Sequence, residues 1–71
     1  MEQIDFQLRG EFIALNDLLK LTGVSDSGGA AKALVADGVV SVDGQVELRK
    51  TAKIRAGQVV ALTGVRIRVV A

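Results

Sequence analysis

The dipeptide Asp43-Gly44, set between VVSV and QVEL, constrains this 71-residue chain more than any other feature. Asp-Gly between alternating apolar residues is the strongest short-range signal for a two-residue β-hairpin, because a type I′ turn needs positive φ at both central positions. That turn imposes a register in which Val39 faces Leu48 and Ser41 faces Val46, making one mostly apolar side. Val40 and Val42 oppose Glu47 and Gln45 on the other side, which is mixed, and its burial stays open at this point.

Strand signals continue beyond the hairpin. An extended segment is expected through Ile54, then a turn at Ala56-Gly57, the strand QVVAL (58–62) and a turn at Thr63-Gly64. In the closing VRIRVVA, Val65, Ile67 and Val69 point one way and Arg66 and Arg68 the other, giving a dry face and a basic face.

Before the hairpin the period changes. QIDFQL (3–8) alternates, with Ile4, Phe6 and Leu8 on one side of a short strand; Phe12 and Ile13 resume an apolar stretch after Gly10. Leu15, Leu18, Leu19 and Leu21 then mark the apolar side of a short helix, with Asn16 as its expected cap and Gly23 as its stop. A second helix is expected in SDSGGAAKALVADG (25–38), capped by Ser25 or Ser27 and ended by Gly38, with Ala30, Ala31, Leu34 and Val35 buried. The expected fold class is therefore α+β: a single small domain of two short helices packed on a small, mainly antiparallel sheet.

Composition removes whole classes of chemistry. There is no cysteine and no histidine, so thiolate chemistry, disulfides and the commonest general base and metal ligand are absent. Ser25, Ser27, Ser41, Thr22, Thr51 and Thr63 have no histidine to activate them, and the acids form no recognisable metal loop. No catalysis, cofactor or metal is expected. SDSGGAAK has glycines, a helix start and a lysine but lacks the spacing of a nucleotide-binding P-loop. No window reaches the roughly 18 apolar residues of a membrane span, and the acidic N-terminus does not look like a secretory signal, so a cytoplasmic protein is expected.

Charge is divided unevenly. Residues 1–40 hold three basic and six acidic residues, whereas residues 41–71 hold six basic and two acidic, net −3 and +4. A surface that is merely solubilising mixes its signs more evenly. Arg49, Lys50, Lys53 and Arg55 follow the hairpin closely, and Lys53 and Arg55 share a strand parity. Free N–H groups at Gly28 and Gly29, with Lys32, offer a second contact for an anion. The only aromatic residues, Phe6 and Phe12, fall in apolar patterns, so recognition by base stacking is not expected. An anionic partner is expected to be held through its phosphates.

Residues 15–60, LNDLLKLTGVSDSGGAAKALVADGVVSVDGQVELRKTAKIRAGQVV, resemble the S4 RNA-binding domain. The likeness is greatest to the short stand-alone bacterial S4-like RNA-associated proteins. It rests on the leucine-rich helix, on Ser27, Ala31 and Lys32, on Gly38, Val40, Val42, Asp43 and Gly44, on the basic run, and on Gly57, Gln58 and Val60. The resemblance implies the S4-like (alpha-L) fold over the whole of 1–71, with a family core at about 13–62. It implies structured RNA as partner, ribosomal or transfer RNA first. Ser27 and Lys32 on the second helix and Arg49, Lys50, Lys53 and Arg55 past the turn are the implied contacts, with Lys20 a weaker addition and Gly28 and Gly29 contributing N–H groups. Many S4 domains carry arginine after the helix-starting serine, where this chain has Gly28, and asparagine where it has Asp43. A monomer is expected, with a dimer left open. The rival expectation is a protein-interaction adapter or homodimer that uses an edge strand and the basic face.

Overall fold

A computed structural model describes residues 2–71. In chain order they form β1 (Glu2–Gln7), β2 (Ile13–Ala14), α1 (Leu15–Leu21), α2 (Gly28–Ala36), β3 (Ser41–Val42), β4 (Gln45–Val46), β5 (Lys53–Ile54), β6 (Val59–Leu62) and β7 (Val65–Val70). Five strands make one sheet in the order β1-β7-β6-β3-β4, and β2 pairs with β5 in a separate two-stranded ribbon. Only the β1–β7 pair is parallel, so the fold is α+β with a mainly antiparallel sheet, as the pattern of elements implied.

The hairpin has the expected register, Ser41 opposite Val46 and Val42 opposite Gln45, with φ of 51° at Asp43 and 85° at Gly44. Its burial is decided by the strand on its other side. β3 pairs with β6, and Ile4, Ile67, Val60 and Val42 form one row across four strands. That row faces the core, where Val60 and Ile67 are fully buried. Ser41 therefore belongs to the outer row, with Ala61 and Arg66, and Val46 beside it is exposed. The more apolar side of the isolated hairpin, Val39, Val46 and Leu48, thus faces out, and the mixed side turns Val40 in.

Both helices lay their apolar stripes on this core. Leu15, Leu18 and Leu19 of α1 and Ala31 and Val35 of α2 are fully buried with Val40, Ile54, Val60 and Ile67. Burying each large aliphatic side chain contributes about 1.5–3 kcal/mol, which holds helices too short to persist alone. Ser27 caps α2, its Oγ accepting the Ala30 N–H at 3.1 Å. Gly38 follows the helix at φ 76°, and its N–H bonds to the Val35 carbonyl.

Several expectations fail locally. Asn16 is not a cap: it lies inside α1, whose cap residue is Ala14, and its N–H is taken by a carbonyl from a distant segment. Ala30 is exposed because the Ser27 cap places it on the outer side of the first turn. Leu21 is 65% exposed. The stretch after Leu48 is not extended; Arg49 to Ala52 form a turn closed by the Ala52 N–H on the Arg49 carbonyl.

Candidate nucleic-acid interface

The turn that carries the basic residues is built into the core. The Lys50 carbonyl accepts the Asn16 N–H and the Ala52 carbonyl accepts the Leu15 N–H, both at 2.9 Å. These bonds satisfy first-turn donors of α1 that no side chain caps. Ala52 is buried, and Ile54 next along is 1% exposed. The backbone of residues 50–54 is therefore fixed to β2 and the start of α1 while Lys50, Lys53 and Arg55 remain exposed.

Arg49 is held differently from its neighbours. Its guanidinium makes two bonds to Glu47, Nε to Oε2 at 3.1 Å and Nη2 to Oε1 at 3.2 Å, and the Arg49 N–H also donates to Oε2. The bonds to Arg49 hold the Glu47 carboxyl below its ordinary pKa, and Glu47 in turn raises that of Arg49. Arg68 is likewise occupied by Asp5, 2.9 Å away across the parallel β1–β7 pair. Among the described residues no carboxylate lies within 4.0 Å of Lys20, Lys32, Lys50, Lys53 or Arg55. Four of the cations expected at the interface after α1 are thus unpaired, and Arg49 is partly neutralised.

Lys53 and Arg55 point together, as their parity required. Both lie over the ring of Phe12, at 5.0 and 6.0 Å from its centre. The antiparallel β2–β5 pair brings them there, with Ala14 opposite Lys53 and Ile13 opposite Ile54. Phe12 is therefore not a core residue; it is 43% exposed, a surface aromatic between cations. Its local pattern is the same as that of a buried residue, and only the nonlocal β2–β5 pairing distinguishes them.

On α2, Lys32 is exposed, and no protein atom lies within 4 Å of a Cβ built at Gly28. Space alone would admit a side chain there. Ser27 uses its oxygen as an acceptor for the cap and keeps its hydroxyl proton for donation. The helix-start donors of α2 and the basic turn stand at opposite ends of that helix. A Cβ at Gly38, just past the end of α2, would meet Leu48 Cδ2 at 3.8 Å, so the residues leading into Arg49 lie at that end. Ser27 and Gly28 lie at the other, about 13 Å away for a nine-residue helix at ~1.5 Å per residue. Lys20 is in the last turn of α1, beyond which the chain runs to Ser27.

Asp43 belongs to the scaffold. Its Oδ1 accepts the Val59 N–H at 2.9 Å, and its Oδ2 accepts from Gln58 Nε2 at 3.3 Å, pinning the hairpin turn to the start of β6. Among the described residues no group of three or more carboxylates, histidines or cysteines could hold a metal, and no helix is long and apolar enough to cross a membrane.

Known proteins share this fold. The chain is 54% identical over 59 residues to YbcJ of Escherichia coli strain K12, whose name proposes RNA binding, and equally to YbcJ of Shigella flexneri; the match covers 83% of this chain and 84% of each relative. The solution structure of Escherichia coli YbcJ, described as revealing an αL motif involved in RNA binding, superposes with a TM-score of 0.77 at 47% identity, covering 100% of this chain and 91% of that one. The crystal structure of the 30S ribosomal protein S4e from Thermoplasma acidophilum superposes with a TM-score of 0.61 at 26% identity, covering 82% of this chain and 31% of that one. The S4 domain family profile matches residues 6–70, and the chain belongs to the S4 domain family.

Proposed function

We propose that the chain is a non-catalytic RNA-binding module of the cytoplasm that holds structured RNA, ribosomal or transfer RNA, on its basic surface. The observation that carries this reading is the turn at residues 49–52. It presents Lys50 unpaired on a backbone that caps α1, so the charge is preorganised and not carried on a loose tail. Lys53 and Arg55 continue the surface, Lys32, Ser27 and the N–H groups of Gly28 and Gly29 extend it along α2, and Lys20 at the end of α1 adds to it. Arg49 joins when its Glu47 partner yields to a phosphate. Similarity to YbcJ and to S4e supports RNA as the polyanion.

Replacing Arg49 and Lys50 together with alanine tests the reading. Binding to folded ribosomal and transfer RNA, measured by filter retention across a salt series, is expected to weaken, and the slope of log K on log salt to flatten by about 1–2. The circular dichroism spectrum should not change, since both side chains are exposed. Unaltered affinity and slope would sink the proposal.

A second reading has one observation in its favour. β4 is an edge strand, and Val39, Val46 and Leu48 beside it are 45%, 62% and 63% exposed. An exposed apolar edge is a template for pairing with another chain. Sedimentation with and without RNA separates the two: a stable dimer indifferent to RNA supports a protein adapter.

A further inference from the structure

A cleft of about 300 Å³ opens beside Phe12, between the end of β1 and the exposed end of α1. Phe6, Leu8, Phe12, Ile13 and Leu21 make its apolar wall, and Gln7 and Arg9 are its polar members. The volume lies at the lower end of the range for small-ligand sites. Leu21 and Phe12 leave much of their surface uncovered. Among the described residues Arg9 has no carboxylate within 4.0 Å, and Lys53 and Arg55 stand over the Phe12 ring. One unpaired cation, Arg9, thus lines an apolar slot, and two more stand over the aromatic ring that forms part of its wall.

That combination fits a planar, apolar-faced group attached to phosphates. We propose that the cleft takes one unpaired nucleobase of the bound RNA, stacked on Phe12, while Arg9, Lys53 and Arg55 hold the phosphates on either side of it. The proposal rests on the RNA-binding reading and adds to it a preference for a bulged or looped nucleotide over a continuous stem. Bases extruded from loops and bulges are the parts of RNA that aromatic side chains can reach. Gln7 supplies an amide donor and acceptor for the base edge. A protein side chain would fill the slot equally well but would give no work to Arg9 in its lining or to Lys53 and Arg55 over Phe12.

Two fluorescein-labelled RNA duplexes, each annealed from two separate strands, test this, one fully paired and the other the same duplex with a single bulged adenosine. Anisotropy titrations would use the wild-type chain, Phe12→Ala and Phe12→Leu. Phe12 is outside the buried core, and leucine keeps an apolar cover if alanine disturbs the fold. The wild type is expected to bind the bulged RNA more tightly. Phe12→Ala should lose about tenfold on that RNA and little on the fully paired duplex. Phe12→Leu should lose most of the same preference, because it lacks the π-face. Equal binding of the two duplexes by the wild type overturns the cleft proposal and leaves RNA binding standing. A preference retained by Phe12→Leu also overturns it, since simple apolar filling would then suffice. No binding of either RNA overturns both readings.

Discussion

Asp43 shows how one residue can look functional and be structural. It is an acid at the tip of a turn followed by a basic run, where a ligand or a phosphate competitor would be plausible on chemistry alone. Its two oxygens are instead spent on Val59 N–H and Gln58, and its backbone sits at φ 51°, where asparagine and aspartate are tolerated and most residues are strained. Asparagine can keep the Val59 bond and the backbone conformation, so Asp43→Asn should change stability little. Asp43→Ala loses the acceptor and meets the left-handed strain, together about 1–2 kcal/mol. For a domain of this size that lowers the melting temperature by about 5–15 °C. Thermal denaturation of the two variants side by side checks this; equal melting temperatures would show that Asp43 is not a structural residue. Asparagine at this position would then serve the scaffold as well as aspartate does.

At the scale of elements, the turn from Glu47 to Ala52 joins scaffold to surface, and Glu47 regulates how much charge that turn presents. The ion pair to Arg49 is exposed, so its net worth to folding is small. Its effect on binding is larger in kind: a phosphate that approaches Arg49 must displace a bidentate carboxylate. Glu47→Gln keeps an acceptor for the Arg49 N–H but frees the guanidinium. RNA affinity is expected to rise roughly 2–5-fold, with a salt slope steeper by about 0.7–0.9. If the affinity falls instead, Glu47 orients Arg49 for binding and does not mask it. Much of this element could be read from sequence. Asp43-Gly44 specified the hairpin register, Ser27 and Gly38 marked the ends of α2, and the parity of Lys53 and Arg55 placed them on one side. What could not be read is which face of the hairpin is buried, because a hairpin's two faces are equivalent until β6 pairs with it and aligns Val42 with Val60. The same applies to the cap of α1 and to Phe12. Leu15 and Asn16 find their acceptors at residues 52 and 50, and Phe12 finds its cations at 53 and 55. No local pattern records partners nearly forty residues away.

For the molecule as a whole, the inventory of titratable side chains predicts an unusually plain response to pH. The chain has no histidine, cysteine or tyrosine, so between its carboxylates and its lysines no side chain changes charge. The two carboxylates with shifted values, Asp5 beside Arg68 and Glu47 beside Arg49, are both lowered, chiefly by hydrogen bonds from those arginines. A lowered folded value means that the native state holds the ionised form more firmly than the unfolded chain does. The stability these groups contribute is then complete above the unfolded value, near pH 4, and is lost as pH falls through the lowered folded value. Both lie at the surface, so solvent screens the gain and the acid limb should be shallow. The melting temperature is therefore expected to stay level from about pH 5 to about pH 9 and to decline only below about pH 4. RNA affinity at fixed ionic strength should be level over the same window, because the chain has no histidine, cysteine or tyrosine whose charge would change there. A melting series and an anisotropy series on the same buffers check both. A step near pH 6–7 in affinity alone would have to come from the RNA, and a step in the melting temperature there would contradict the assignment. Salt, not pH, is then the variable that controls this surface: if Lys32, Lys50, Lys53 and Arg55 each neutralise one phosphate, log K should fall with log salt at a slope of about −2.8 to −3.6.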